Sequence, residues 1–158
     1  MATQAEQLQM IWRVYEEAGN PTPAPLHDVA EWAVKEGFWK HRPTDLVKEC
    51  AAALADALRQ EYYTDKQGRR VRAKHAARVE RNGEQMVFWA DMRRAPREYM
   101  ELSLKQRRQQ IVSDCQQLKS DADSYNENHP KERAIQLIFD FTRDLQELEL
   151  ELAAKVGA

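Results

Sequence analysis

The sequence predicts a mainly α, α+β chain: three short helices, a two-stranded β-hairpin, then a long antiparallel helical hairpin. Three observations carry this class. Apolar residues recur at helical spacing as far as Leu58, the period switches to strict alternation from Arg70, and a four-three apolar rhythm resumes after Pro96. At 158 residues the chain suits one domain or two small ones, which excludes a large two-lobed enzyme. Its 42% hydrophobic and 32% charged residues, with 5 Gly and 6 Pro, argue against both disorder and a lipid-embedded chain.

Leu8, Ile11, Trp12, Tyr15 and Ala18 mark an amphipathic first helix over about Ala5 to Ala18, stopped by Gly19 and Asn20. Three prolines between Asn20 and Pro25 prevent regular structure. Leu26, Val29, Trp32 and Ala33 then mark a short helix ending at Gly37, with Phe38 and Trp39 as an aromatic elbow and Trp12 and Trp32 as core. Pro43, Thr44 and Asp45 are start signals for a third helix, whose apolar face reads Leu46, Val47, Cys50, Ala51, Leu54, Ala57 and Leu58.

From Arg70 the residues alternate, with Val71, Ala73, His75, Ala77 and Val79 on one side and Arg70, Arg72, Lys74, Ala76 and Arg78 on the other. Asn82-Gly83 is a type I′ turn signal, since both central residues of that turn need positive φ. Pairing outward from Arg81 opposite Glu84 sets Val79 against Met86, Ala77 against Phe88, His75 against Ala90, Arg78 against Val87, Ala76 against Trp89 and Lys74 against Asp91. Tyr62 to Thr64 forms a short extra strand, with Asp65 to Gly68 as its turn.

Pro96 opens a long helix to about Tyr125 with a seam of Met100, Leu104, Ile111, Cys115, Leu118, Ala122 and Tyr125, where Arg108 occupies the one missing place. After Asn126 to Pro130, the residues Ala134, Ile138, Phe141, Leu145, Leu148 and Leu152 continue the rhythm over a helix from Lys131 to Ala154. The two would be about 43 and 36 Å long, matched for antiparallel pairing. Leu102, Ile135, Leu137, Leu150 and Val156 lie off this seam and need another cover, which a second copy completing a four-helix bundle would supply. A homodimer through Leu104, Ile111, Leu118, Ile138, Phe141, Leu145 and Leu148 is expected, docking of the preceding helices being the intramolecular alternative.

Charge is unevenly spread. Met1 to Leu58 holds 5 basic and 9 acidic residues, Arg59 to Arg97 holds 11 and 5, and Glu98 to Ala158 holds 8 and 12. The basic middle block is where an anionic partner would bind, because fields act over about a Debye length, ~8 Å at physiological salt.

Three helices followed by a basic hairpin resembles the winged helix-turn-helix class over about Ala5 to Met92. Tyr15 to Pro21 leading into Asp28-Val-Ala-Glu-Trp-Ala and Gly37-Phe-Trp is similar to the HARE-HTH type. The apolar seam places a dimerising or partner-docking helical hairpin over 95–158, and the resemblance implies a winged domain over residues 1–94. It also implies a third helix in the major groove of double-stranded DNA and a wing on the backbone or minor groove. Carried onto this chain, the outward third-helix positions are Lys48, Glu49, Ala52, Asp56 and Arg59, where the two carboxylates would face phosphates and only Lys48 and Arg59 would attract them.

The wing is the better contact: Lys66, Arg69, Arg70, Arg72, Lys74, Arg78 and Arg81 stand against Glu80 alone between Lys66 and Arg81. About five neutralised phosphates would give a log-log salt slope near -4 or -5. Trp89, on the same hairpin face, could stack on a base or pack as core.

Other chemistry is not signalled. His27 with Asp28 and Glu31, and His129 near Glu127 and Glu132, follow no zinc spacing, so no metal or other cofactor is expected. Asp114 with Asp121 and Asp140 with Asp144 suit a solvated helix face better than a hydrolase, and no phosphate loop or nucleophile motif is present, which argues against an enzyme. Apolar runs such as Ala51 to Ala55 fall far short of the roughly 18 residues a bilayer needs. That length, the lack of a basic-then-apolar leader, and Cys50 and Cys115 as buried free thiols together suggest a cytoplasmic protein without a membrane partner. The expected function is non-catalytic DNA binding, regulatory in kind. The alternative is a protein-interaction module that uses the same folds without nucleic acid.

Overall fold

The computed structural model describes residues 1–42 and 45–157. The start signals read at Pro43 and Thr44 lie outside the described residues, as does the side chain of Val156. The chain is mixed α+β and mainly helical, as expected. Its elements run α1 (Gln4–Glu17), α2 (Leu26–Lys35), α3 (Leu46–Arg59), β1 (Tyr62–Thr64), β2 (Arg70–Arg72), β3 (Lys74–Arg81), β4 (Glu84–Asp91), α4 (Arg97–Asn128) and α5 (Thr142–Val156). They group into two compact units, Met1–Asp56 and Ala57–Ala158. This puts both hairpins with α4 and α5, whereas the sequence pattern groups them with the three N-terminal helices.

In the N-terminal unit, α1 opens on a capping box in which the Glu6 amide donates to Thr3 Oγ1 at 3.2 Å and the Thr3 amide to Glu6 Oε2 at 2.6 Å. Helix α2 ends in a Schellman motif: Gly37 takes φ +79°, its amide donates to the Val34 carbonyl, and the Phe38 amide reaches the Ala33 carbonyl. That turn folds Phe38 back onto Trp32, ring centroids 5.3 Å apart, and Tyr15 meets Trp32 edge-on at 5.4 Å. Tyr15, Val29 and Ala33 are buried, while Trp12 and Trp32 are half-buried members of this cluster, not core as expected.

Helix α3 departs further from expectation, because none of its residues is buried and Leu46, Val47, Cys50 and Leu54 are exposed. Cys50 is therefore an exposed thiol, and Cys115 is half-buried.

In the C-terminal unit the Asn82-Gly83 turn has φ of 53° and 79°, and the β3–β4 register is the expected one at every pair from Lys74↔Asp91 to Arg81↔Glu84. The extra strand is also present, with Tyr62↔Arg72 and Thr64↔Arg70. The alternating run is not one strand, however. Ala73, almost fully buried, donates its amide to the Glu61 carbonyl and accepts from the Met92 amide, and the bend there divides the run between two antiparallel pairs.

Helix α4 lies against β3. Ser103 Oγ donates to the Ala76 carbonyl at 2.6 Å, and the Gln106 carboxamide accepts from the Arg78 amide at 2.8 Å and donates to its carbonyl at 2.9 Å. Gln106 thus pairs with β3 as a neighbouring strand would and covers its edge. Tyr99 Oη sits 2.9 Å from the His75 carbonyl and 2.7 Å from that of Phe88, sharing its one proton between them.

The expected C-terminal helical pairing is corrected in two respects. The last helix begins at Thr142 rather than Lys131, so Ile138 lies in an extended segment and Phe141 is the cap residue of α5. Asn126 holds that segment open by accepting from the Ile135 amide and donating to its carbonyl, each at 2.9 Å, and Asp140 Oδ1 accepts from the Thr142 amide to start α5. Nor do α4 and α5 rank among the packed element pairs, which are α1–α2, β1–β2, β3–β4 and α4–β3. Leu104, Ile111, Leu118, Ile138, Phe141, Leu145 and Leu148 are all exposed. Among the described residues, no helix is long and apolar enough to cross a membrane.

Candidate nucleic-acid interface

The cations of the basic block fall into different settings. Arg69 is paired with Asp65 at 2.9 Å, and Arg70 stacks over the Tyr62 ring at 4.1 Å. Lys74 gains its expected cross-strand partner, Asp91, at 2.9 Å and also approaches Glu61 at 3.5 Å. Lys66 is exposed in the β1–β2 turn and Arg81 at the β3–β4 turn. Lys48 belongs to the N-terminal unit, where it lines an open cleft with Glu49, itself 3.3 Å from His41.

The remaining candidates meet. A cleft of about 300 Å³ between β3 and α4 is lined by Arg59, Arg72, Lys74, Arg78 and Trp89, together with Arg107 of α4. Among the described residues, no Asp or Glu lines it. Trp89 is half-buried with the Arg59 guanidinium 5.5 Å from its ring centroid, a cation–π arrangement that makes it a wall of the cleft. Arg72, opposite Tyr62 in the β1–β2 pair, holds the Tyr62 hydroxyl below the ordinary phenol range by hydrogen bonding and charge. Burial pushes the Arg107 guanidinium down from its ordinary value, and the charge of Arg72 adds to that.

Sequence reasoning missed Arg107 and Gln106. The apolar seam of α4 points elsewhere, whereas the docking face carries Tyr99, Ser103, Gln106 and Gln110. Their four-three-four spacing was readable as a second face of the helix.

Below the cleft, Asp91 organises the end of the hairpin. Its carboxylate accepts from Arg93 Nη2 at 2.8 Å, Arg93 Nε at 3.0 Å, the Arg93 amide at 2.9 Å and Lys74 Nζ at 2.9 Å. Those bonds, from Arg93 first and then Lys74, hold the carboxyl well below the usual carboxylate range. A carboxyl depressed on folding adds stability that is complete above its unfolded value, about 3.9, and is lost as pH falls through the folded value. Acid unfolding of the wild type should therefore steepen below about pH 4. Asp91→Asn should lower the urea midpoint at pH 7 and flatten its decline between neutrality and acid. Parallel pH curves for the two proteins would contradict this account.

The metal candidates differ from each other. His27, Asp28 and Glu31 bring their ligand atoms within 4.8 Å of one another, all exposed at the start of α2. The His129 ring instead stacks on Tyr125 at 4.1 Å, and its Nδ1 lies 2.7 Å from the Tyr125 carbonyl. Compared with protein-family models, curated proteins and solved structures, the chain matches none of them.

Proposed function

We propose that this protein binds double-stranded DNA non-catalytically through the phosphate backbone, in a regulatory role, using the β3–β4 hairpin and the adjoining face of α4. The observation that carries this reading is the cleft where Arg72, Arg78 and Arg107 converge beside Arg59 and Lys74, its described lining free of carboxylates. Phosphate contacts from arginine forks position a protein on a duplex without reading its sequence. The order of elements, three helices and then a hairpin, supports a winged helix-turn-helix. Glu49 and Asp56 on the outward side of α3 favour the hairpin over that helix as the contact.

Because Arg69 and Lys74 are already paired with acids, about four phosphates are neutralised, for a log-log salt slope near -4. Changing Arg70, Arg72 and Arg78 together to Ala should weaken binding to a random duplex at least about 100-fold and flatten that slope by about 2 to 3, roughly one for each phosphate left without its cation. The helical circular dichroism should stay unchanged. Fluorescence anisotropy across a salt series measures both quantities, and unaltered affinity in the triple variant sinks the proposal.

The exposed apolar side chains of Leu104, Ile111 and Leu118 on α4, and of Leu145 and Leu148 on α5, support pairing of two copies. They equally favour the second reading, a protein-interaction module. Light scattering that gives twice 18.4 kDa together with duplex binding supports the first reading. Failure to bind duplex even at low salt favours the second.

A further inference from the structure

Most cations of the C-terminal unit with a close partner are paired with acids: Lys74 and Arg93 with Asp91, Arg69 with Asp65, Arg97 with Glu101 and Lys119 with Asp123. The cleft between β3 and α4 is lined by one of these paired cations, Lys74, and by arginines outside that group. Arg72, Arg78 and Arg107 enter it from β2, β3 and α4, and its described lining holds no acid. A guanidinium keeps its charge in a protein, so these three arginines gathered in an open cleft with no acid in its described lining favour an anion there, beyond the screening that water gives the exposed Arg78 and Arg107.

The positions are also prepared in advance. Gln106, next to Arg107, is bonded twice to the Arg78 backbone, and Ser103 one turn earlier is bonded to Ala76. Arg72 lies opposite Tyr62 in the β1–β2 pair, where it holds the Tyr62 hydroxyl below the ordinary phenol range. A site whose side chains are ordered before binding loses less entropy when the ligand arrives.

The geometry points to a phosphate-binding site in this cleft, where Arg72 and Arg107 clamp the oxygens of one phosphate ester and Trp89 forms the wall beside it. Several guanidinium forks converging from different elements suit the oxygens of a phosphate, spread around one centre, better than the two coplanar oxygens of a carboxylate. A volume of about 300 Å³ admits one phosphate with its sugar and not a duplex, so the duplex would lie across the mouth with a single backbone phosphate inside. That source rests on the nucleic-acid reading above; a free phosphate ester carries the same chemistry.

The test uses the full chain as wild type, Arg107→Gln, Arg107→Lys and Arg133→Gln, the last a charge-matched control in the extended segment. Inorganic phosphate is titrated by ³¹P NMR at constant ionic strength, and a random duplex by anisotropy across salt. Wild type and Arg133→Gln should broaden the phosphate line, and Arg107→Gln should not. Arg107→Gln should also weaken duplex binding about tenfold and reduce the salt slope by about 1. Arg107→Lys should restore the slope without the full affinity, because an ammonium is a point charge and not a fork.

Wild-type duplex binding that Arg107→Gln leaves unchanged overturns the clamp while the nucleic-acid reading stands. Arg107-dependent phosphate binding with no duplex binding upholds the clamp and overturns the nucleic-acid source. Absence of both overturns both.

Discussion

Tyr15→Ala is expected to unfold the N-terminal unit while leaving the C-terminal one folded. Tyr15 is 4% exposed and links α1 to α2: its ring meets Trp32 edge-on at 5.4 Å and Trp12 at 6.1 Å, and its hydroxyl donates to the Pro21 carbonyl at 3.3 Å. Removing a buried aromatic ring costs about 3–4 kcal/mol, the lost transfer energy plus the cavity left behind. Only Val29 and Ala33 accompany Tyr15 among the buried, described residues of this unit, so such a loss is comparable with the whole stability of so small a core. Three of the four tryptophans, Trp12, Trp32 and Trp39, lie in this unit. Emission should therefore shift to the red at 25 °C without denaturant, and part of the helical signal should disappear. A native emission maximum and an unchanged urea midpoint would contradict the assignment of Tyr15 as the centre of this core.

The second large effect lies at the junction of α4 and β3. Ser103 is 2% exposed with its hydroxyl 2.6 Å from the Ala76 carbonyl at the edge of the cleft, so a branched, longer side chain here would press on the strand. Ser103→Leu should lever the helix off the strand. Overpacking costs about 1–3 kcal/mol, and stranding the Ala76 carbonyl adds about 1–2 kcal/mol. Ser103→Ala, which strands the same carbonyl without the overpacking, should cost only about 1–2 kcal/mol. The functional consequence separates the two variants further. Displacing α4 takes Arg107 away from Arg72, so Ser103→Leu should lose duplex affinity to the same extent as Arg107→Gln, whereas Ser103→Ala should retain it. Urea denaturation and anisotropy on the same samples test both halves. Equal stability in Ser103→Leu and wild type would mean that α4 is not seated on β3 as described.

The polar docking of α4 also accounts for its exposed seam. Ser103 and Gln106 satisfy the open edge of β3 by hydrogen bonding, so the face carrying Leu104, Ile111 and Leu118 is left uncovered within the chain. Burial of such a face in a second copy is the reason the pairing of two chains belongs with the proposed function.

By itself the sequence determined what depends on neighbours along the chain. The β3–β4 register followed from two residues able to adopt positive φ, Asn82 and Gly83, flanked by strict alternation, and the end of α2 followed from a glycine able to take the left-handed turn. The bounds of α1 and α2, and the Lys74–Asp91 pair, were legible for the same local reason.

Tertiary structure decided the rest. The bend at Ala73 arises from backbone bonds to Glu61 and Met92, neither of which is a sequence neighbour. The extended run before Thr142 follows from Asn126 bonding to Ile135 across the turn, although the apolar spacing of that run suits a helix equally well. The arginine cleft likewise depended on bringing Arg59 and Arg107 to the hairpin. Helix α4 was placed there by Ser103 and Gln106 bonding to the backbone of a strand edge. Such bonds recognise main-chain groups that every residue carries, so they leave no hydrophobic period for a sequence to reveal.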